Sequence, residues 1–190
     1  GSKFIATLVV GVAETFITYG SQSRNAQLAY NATVPGEKHV KPMSFLRPYG
    51  PGVGFHALRN VSSMLGLRVI SEPVQDALKQ LHAMAGWKPP RSQLPADFLA
   101  CTFSGAVSTV PALLHYFAVT SQSYAAAEVP RKVALAGQFL RAQYLTPTAW
   151  GMMPSRLILR DTALRSLYGA SIWTLFGAVE RISLQAWPSF

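Results

Sequence analysis

Four stretches of the chain are predominantly apolar and long enough to form helices. The strongest runs from Phe98 to Ala127 without any Asp, Glu, Lys or Arg, which exceeds the roughly 20 residues that a helix needs to cross a bilayer core. Phe4 to Gly20 carries only Glu14 as a charged residue and continues in helical composition to about Tyr30. Both stretches therefore predict membrane-spanning helices.

The other two stretches are more polar. Gly54 to Leu81 contains arginines and acids, and Ala149 to Ile182 has charges in its first half before an apolar stretch that ends near Val179. Charged groups at membrane depth are costly and face a bundle interior, a water-filled cavity or one another. We therefore expect each of these helices to turn a polar face away from lipid. A soluble arrangement, with two amphipathic helices packed on two buried ones, stays open.

The connecting segments differ in character. Thr33 to Gly52 and Trp87 to Pro95 are rich in proline and predict loops on the solvent side. Glu128 to Gln143 predicts a short surface helix, with Pro130 at a suitable first position. The four tryptophans are candidates either for anchors at the membrane interface or for core packing: Trp87, Trp150, Trp173 and Trp187.

The composition agrees with a membrane protein that has polar loops. The chain is 49% hydrophobic and only 13% charged, with a mean hydropathy of +0.20, whereas about 25% charged is typical of soluble domains. The net charge is +9, but the 17 Lys and Arg residues are scattered, so we expect anionic lipid or an acidic protein partner rather than nucleic acid. Residues 1–30 show neither a basic leader nor a small-residue cleavage pattern, so we expect no signal peptide and no Arg-rich transit peptide.

The chemistry-bearing residues are sparse. Cys101 is the single cysteine, so no disulfide framework is expected. The four histidines are dispersed with no metal-ligand spacing, and we expect no metal site. The sequence has no phosphate-binding glycine loop, nucleophile elbow or paired-carboxylate motif. We therefore predict that the chain is not an enzyme and holds no cofactor.

An internal repeat links the two halves. FIATLVVGVAET, from Phe4, aligns with FLACTFSGAVST, from Phe98, and the coinciding Phe, Ala, Gly and Thr residues are each 94 positions apart. A second set of matches, which includes Arg68 with Arg160, is offset by 92. Because a shared composition alone would not preserve the order of features, we predict two repeats, at residues 1–92 and 93–190, each with two membrane helices.

Two segments within these repeats resemble motifs of a known protein family. GVAETFITYGSQSRNAQLAY (11–30) and GMMPSRLILRD (151–161) resemble the end of an odd-numbered helix and the start of an even-numbered helix in the mitochondrial carrier family. The resemblance implies an all-α integral membrane bundle of about four transmembrane helices. Family members have three such repeats, so a two-repeat chain would need a partner chain or a dimer to enclose the usual cavity.

The resemblance also shows what this chain lacks. The family signature, Pro-x-Asp/Glu-x-x-Lys/Arg, supplies the charges that close one side of a carrier. The corresponding positions here hold neither the proline nor an ion pair: Gly20, Gln22 and Asn25 in the first repeat, and Leu114, Tyr116 and Val119 in the second.

Arg68 and Arg160 are the candidate site residues, since both lie at matched positions of the second helix of a repeat and an intramembrane arginine is a functional hypothesis by default. They would contact a phosphate, a carboxylate or a lipid headgroup. The favoured structural alternative pairs them with acids such as Glu72 and Asp161, or with backbone carbonyls. Glu14 is expected to meet a basic group inside the bundle or on another chain, and His115 to hydrogen-bond to a neighbouring helix.

These observations favour a carrier-like accessory subunit that has lost transport. It would serve as a structural, lipid-contacting component of a larger mitochondrial inner-membrane assembly, such as a respiratory complex or ATP synthase, with cardiolipin and acidic neighbours as partners. The alternatives are a solute transporter assembled from more than one chain and a peripheral helical adaptor.

Overall fold

The fold is predominantly helical, in a computed structural model that describes residues 2–90 and 92–186. The predicted loop residue Arg91 and Trp187, a candidate for interface anchoring or core packing, lie outside the described residues. The elements are α1 (Ser2–Asn31), a short 3-10 turn (Gly36–Lys38), α2 (Val53–Leu65), a π-helical segment (Gly66–Ile70), α3 (Ser71–Met84), α4 (Leu94–Val107), α5 (Thr109–Thr120), α6 (Gln122–Ala126), α7 (Val129–Tyr144), β1 (Leu145–Thr148), β2 (Gly151–Pro154) and α8 (Arg156–Ala186). The predicted helical class is confirmed, with one β-hairpin added.

Several predicted boundaries are confirmed. Helix α1 covers the first apolar stretch, and the proline-rich segment at 33–52 contains only the 3-10 turn, turns and coil. The segment predicted as a loop at 87–95 ends earlier, because α4 begins at Leu94. Helix α7 occupies the predicted surface segment, with Pro130 in its first turn. Proline is tolerated there because the first amides of a helix have no partner within the helix.

The uncharged stretch from Phe98 to Ala127 is not one continuous helix, which corrects the sequence-based prediction. Helix α4 ends at Val107 and α5 begins at Thr109. Pro111 has no N–H for the carbonyl of Val107, and its ring would clash with that carbonyl in a continuous helix. A second break falls at Ser121, whose hydroxyl accepts a hydrogen bond of 3.2 Å from the amide of Tyr124 and so caps α6.

The stretch from Gly54 to Leu81 is helical throughout but is interrupted by the π-helical segment Gly66–Ile70. Pro73, in the first turn of α3, removes the amide that would bond to the carbonyl of Val69. A wider π turn accommodates such a mismatch without ending the helix.

The fourth apolar stretch begins later than predicted. Residues 151–154, which resemble the start of an even-numbered carrier helix, form strand β2, and α8 begins only at Arg156. Pro154 favours an extended backbone at Met153 and thereby ends any helix on its N-terminal side. The hydroxyl of Ser155 accepts a hydrogen bond of 3.4 Å from the amide of Ile158 and caps α8.

Contacts divide the chain into two compact units. Unit 1 contains the residues up to Val9, Val61–Ser108 and the chain from Thr162, and unit 2 contains Val10–Asn60 and Thr109–Asp161. Helices α1, α2 and α8 each contribute to both units. The two repeats at 1–92 and 93–190 describe a division along the sequence and stay a prediction.

By length and composition, α1 is the one continuous helix in the described part of the chain that is able to cross a membrane. Helices α4 and α5 add a second if the pair is taken as one broken span. The bundle of about four spans therefore stays a prediction.

Candidate functional site: a polar interior and an apolar surface

Helix α1 buries its polar residues and exposes its large apolar ones. Its buried side chains recur at every fourth residue and therefore form a stripe along one face: Thr7, Thr15, Tyr19, Ser23 and Gln27. The exposed residues on the rest of the helix are Phe4, Ile5, Val9, Val10, Val12, Phe16, Ile17 and Leu28. Soluble proteins show the reverse arrangement, with large apolar side chains inside.

Helices α4 and α8 show the same arrangement. Their buried residues are small or polar, namely Ala96, Asp97, Ala100, Cys101, Ser104 and Gly105 on α4 and Ser166, Ala170 and Gly177 on α8. The exposed apolar residues include Phe98, Leu99, Phe103 and Val107 on α4 and Leu164, Leu167, Ile172, Leu175, Phe176 and Val179 on α8. Each of these helices therefore has an apolar face that nothing in the described chain covers.

Many of the hydroxyl groups bond back to their own helix. Thr7, Thr15 and Thr18 each donate to the carbonyl of the residue four positions earlier, at 2.8 Å. Thr102 and Thr120 do the same at 2.7 and 2.8 Å. Such bonds satisfy a hydroxyl group without a partner on another helix.

Unit 2 contains a buried cluster of two histidines and a tyrosine. The ring centroids of His56 and His115 are 4.7 Å apart, and each ring lies 5.7 Å from that of Tyr19. The Tyr19 hydroxyl donates to the carbonyl of Pro51 at 2.7 Å, and His56 Nε2 lies 3.0 Å from Thr18 Oγ1. The sequence did not suggest this cluster, because α2 and α5 supply one histidine each.

Side chains on α1 extend this polar interior. Asn60 donates to Thr15 Oγ1 at 3.4 Å, and Arg59 bonds to Asn60 Oδ1 at 2.7 and 3.1 Å. Gln27 accepts from the amide of Met43 and donates to the carbonyl of Val119, both at 2.8 Å. Gln27 thereby ties α1 to the loop before α2 and to the C-terminal end of α5.

Unit 1 is centred on Asp97, whose side chain is fully buried. One carboxylate oxygen accepts a hydrogen bond from Ser71 Oγ, and the other forms an ion pair with Arg181. Gln93 Nε2 donates to Ser71 Oγ at 3.3 Å. The carboxylate therefore connects α3, α4 and α8.

Close helix contacts in unit 1 depend on glycine. A Cβ at Gly105 would lie 2.8 Å from Ser166 Cα, and one at Gly66 would lie 2.9 Å from the carbonyl oxygen of Ala100. Beside the first contact, Arg165 Nε donates to Ser108 Oγ at 3.0 Å. Small residues allow this approach of helix backbones, as they do between membrane helices.

The structure places the two predicted site arginines in different units, and each pairs with a carboxylate. Arg68 forms a 2.9 Å ion pair with Glu180 in unit 1, rather than with Glu72, which pairs with Lys3. Arg160 Nη2 lies 2.7 Å from Asp161 Oδ1. The anion or lipid contacts suggested for these arginines stay a prediction.

Three positions of the degenerate carrier signature have packing roles. A Cβ at Gly20 would lie 2.7 Å from the backbone nitrogen of Arg47, so this position leaves no room for a proline ring. Val119 is buried beside Tyr19, and Leu114 packs against the cluster around Ala118.

Within the described residues, no group of three His, Cys, Asp or Glu side chains is arranged to hold a metal ion. No protein-family model, no curated protein and no solved structure matches this chain significantly.

Proposed function

We propose that this chain is an integral membrane protein, and that it acts as a non-transporting, carrier-like accessory subunit of a mitochondrial inner-membrane complex. The observation that carries the membrane part is the reversed polarity of α1, α4 and α8, whose buried faces are polar or small while their exposed faces are apolar. Exposed apolar surface of this extent is costly in water and favourable in lipid.

Helix length supports the membrane location. Helix α1 has 30 residues and α8 has 31, so each extends for about 45 Å at the usual rise per residue. A bilayer hydrocarbon core is about 30 Å thick. Either helix is therefore long enough to cross it, and α1 is also apolar enough by composition.

The loss of transport is supported by how the interior is filled. Several polar groups of unit 2 bond to one another or to backbone carbonyls: His56 bonds to Thr18, and Gln27 to the carbonyl of Val119. Arg68 and Arg160, the candidate anion contacts, each face a carboxylate. The carrier signature charges, which would open and close a path, are absent from both repeats.

The assignment to a mitochondrial complex rests on the sequence resemblance at residues 11–30 and 151–161, together with the net charge of +9. A basic chain without a transport gate suits a structural role between acidic protein neighbours and anionic lipids such as cardiolipin. Respiratory complexes and ATP synthase are assemblies of this kind.

Two experiments test the proposal in order. Alkaline carbonate extraction of native membranes should leave the chain in the pellet, and release into the supernatant would instead support a peripheral helical adaptor. Purification of a tagged chain in mild detergent should then yield a large complex with stoichiometric partners. Recovery of the chain alone, with uptake of phosphate, nucleotides or carboxylates after reconstitution, would favour the multi-chain transporter.

A further inference from the structure

The β-hairpin between α7 and α8 is an exposed, uncharged structure in unit 2. Strands β1 and β2 pair antiparallel, with Thr148 opposite Gly151, so Ala149 and Trp150 form a two-residue turn. Gly151 has a φ of +111°, a conformation that is nearly restricted to glycine. Trp150 is 94% exposed at the tip of this turn.

The hairpin is held firmly at its base. The amide of Ser155 donates to the carbonyl of Tyr144 at 2.9 Å, and Tyr144 is buried against Phe139 with ring centroids 5.6 Å apart. Burial, together with the negative charge of Asp161, raises the pKa of Tyr144, so its phenol stays neutral. The turn is closed by Thr148, which donates to the carbonyl of Gly151 at 2.8 Å.

Neither face of the hairpin is covered by the chain. Leu145 is half-buried and every other strand residue is exposed, including Met152 and Met153. Two-stranded hairpins are marginally stable in water without a further packing surface. An exposed tip of tryptophan and methionine therefore indicates a surface that the chain meets elsewhere.

The prolines in the strands oppose addition of another strand. Facing residues alternate between hydrogen-bonded and non-hydrogen-bonded positions in an antiparallel pair. Because Ser155 and Tyr144 are hydrogen-bonded, Pro154 and Pro147 lie at positions whose backbone nitrogen faces outward. Neither outer edge can donate at these positions, which weakens pairing with a partner strand.

The flanking charge identifies the surface. From Leu145 to Ser155 the chain has no Asp, Glu, Lys or Arg, whereas Arg141 in the last turn of α7 and Arg156 at the start of α8 are exposed. Tryptophan favours the headgroup level of a bilayer, and arginine favours anionic headgroups. An uncharged aromatic tip between two arginines matches an anionic lipid interface.

We propose that the hairpin of residues 145–154 inserts Trp150 into the headgroup region of an anionic bilayer, with Arg141 and Arg156 on lipid phosphates. This inference builds on the proposed membrane location and assigns the hairpin a specific lipid contact. It also distinguishes Trp150 from Trp87. Trp87 is 67% exposed beside the end of α3 but does not lie in a hairpin.

A nitroxide label at Ala149 tests the proposal in the full chain. Cys101→Ala removes the native thiol, and Ala149→Cys places the label beside Trp150. In phosphatidylcholine vesicles that contain phosphatidylglycerol, the ratio of collisions with oxygen to collisions with a water-soluble nickel chelate should lie between the ratios for an aqueous and a hydrocarbon position, as expected at headgroup depth. A label at Lys38, in the exposed 3-10 turn, should be aqueous, and a label at Ile17 should lie in the hydrocarbon.

The outcomes separate the two proposals. A deep Ile17 label with an aqueous Ala149 label would overturn the hairpin contact and leave the membrane proposal intact. An aqueous Ile17 label would overturn the membrane span, whatever the Ala149 label shows. The Ala149 label could also be aqueous in vesicles but immobilised in the purified native complex. That result would overturn the lipid contact and show that the hairpin binds a protein partner.

The proposed contacts of Arg141 and Arg156 with lipid are tested by tryptophan fluorescence in the chain that keeps Cys101. Quenching of Trp150, isolated by subtracting the spectrum of Trp150→Phe, should be stronger with brominated phosphatidylglycerol than with brominated phosphatidylcholine. Arg141→Gln and Arg156→Gln should each lower this preference about fivefold. Arg131→Gln, near the other end of α7, is the matched control and should leave it unchanged. Equal quenching by the two lipids in the unmodified chain would refute the anionic contact.

Discussion

Asp97→Asn removes the negative charge that is buried between Ser71 and Arg181 while keeping the shape of the side chain. Breaking a buried ion pair costs about 3–5 kcal/mol, because the remaining charge loses its partner. Since 35% of the Arg181 side chain is exposed, water can hydrate it, and the lower end of the range, about 3 kcal/mol, applies. Unit 1 should open correspondingly more often.

Cys101 reports this opening directly. It is the only cysteine, is 1% exposed and lies one turn after Asp97 on α4. When reclosing is faster than labelling, the rate of modification by N-ethylmaleimide follows the population of the open state. A loss of about 3 kcal/mol therefore predicts a roughly 100-fold faster reaction in detergent.

Two further variants distinguish the buried pair from a general effect of charge. Asp76→Asn breaks the exposed pair with Lys79, and it should change the rate by at most a few fold. The double variant Asp97→Asn with Arg181→Gln should react more slowly than Asp97→Asn alone, because no unpaired cation remains. If Asp97→Asn reacted no faster than Asp76→Asn, the ion pair would not hold α3, α4 and α8 together.

Three other predictions follow from the packing and the proposed environment. Gly105→Ala should destabilise the chain by about 1–2 kcal/mol in thermal unfolding, because its Cβ would meet the backbone of Ser166 at 2.8 Å. Gly137→Ala, whose Cβ would meet nothing within 4 Å, should instead stabilise α7 by up to about 1 kcal/mol. If both variants changed the free energy of unfolding in the same direction, the close contact at Gly105 would be contradicted. Ile17→Lys should reduce retention in carbonate-washed membranes, since lysine at a helix centre costs roughly 3 kcal/mol, whereas Ile17→Val should behave as wild type; equal retention would argue against a span. Liposomes that contain the purified chain should take up labelled phosphate, nucleotides and carboxylates at the rate of empty liposomes.

The sequence predicts an element well where the signal is local. Helix α1 follows from an apolar run with one acid, and α7 from Pro130 at the start of an amphipathic segment. The loops follow from proline clusters. In each case the residues that decide the structure lie within the element itself or next to it.

The breaks were missed because a single proline has several possible outcomes. Pro111 separates α4 from α5, whereas Pro73 leaves a continuous helix with a π-helical segment before it. Both remove one amide from the helix, and the packing of neighbouring helices decides whether the chain bends or widens its turn. That packing cannot be deduced from the few residues around the proline.

The partners of the polar residues were harder to predict, because they come from distant parts of the chain. Asp161 was a predicted partner of Arg160, and it is the adjacent residue. Arg68 meets Glu180 instead of the nearby Glu72, and His56 meets His115. The available signal was the recurrence of polar residues at every fourth position of α1, which marks a buried polar face without naming what lies against it.

The hydroxyl groups that bond back to their own helix have a consequence for biosynthesis. In the proposed membrane location, Thr7, Thr15 and Thr18 are satisfied before α1 meets any other helix, so their hydroxyl groups add little to the cost of placing α1 alone in lipid. Asp97 is different, because its partners lie on α3 and α8. In the proposed membrane location, α4 should therefore need α3 and α8 beside it to be stable in lipid, and the order of insertion would follow from which polar groups each helix satisfies by itself.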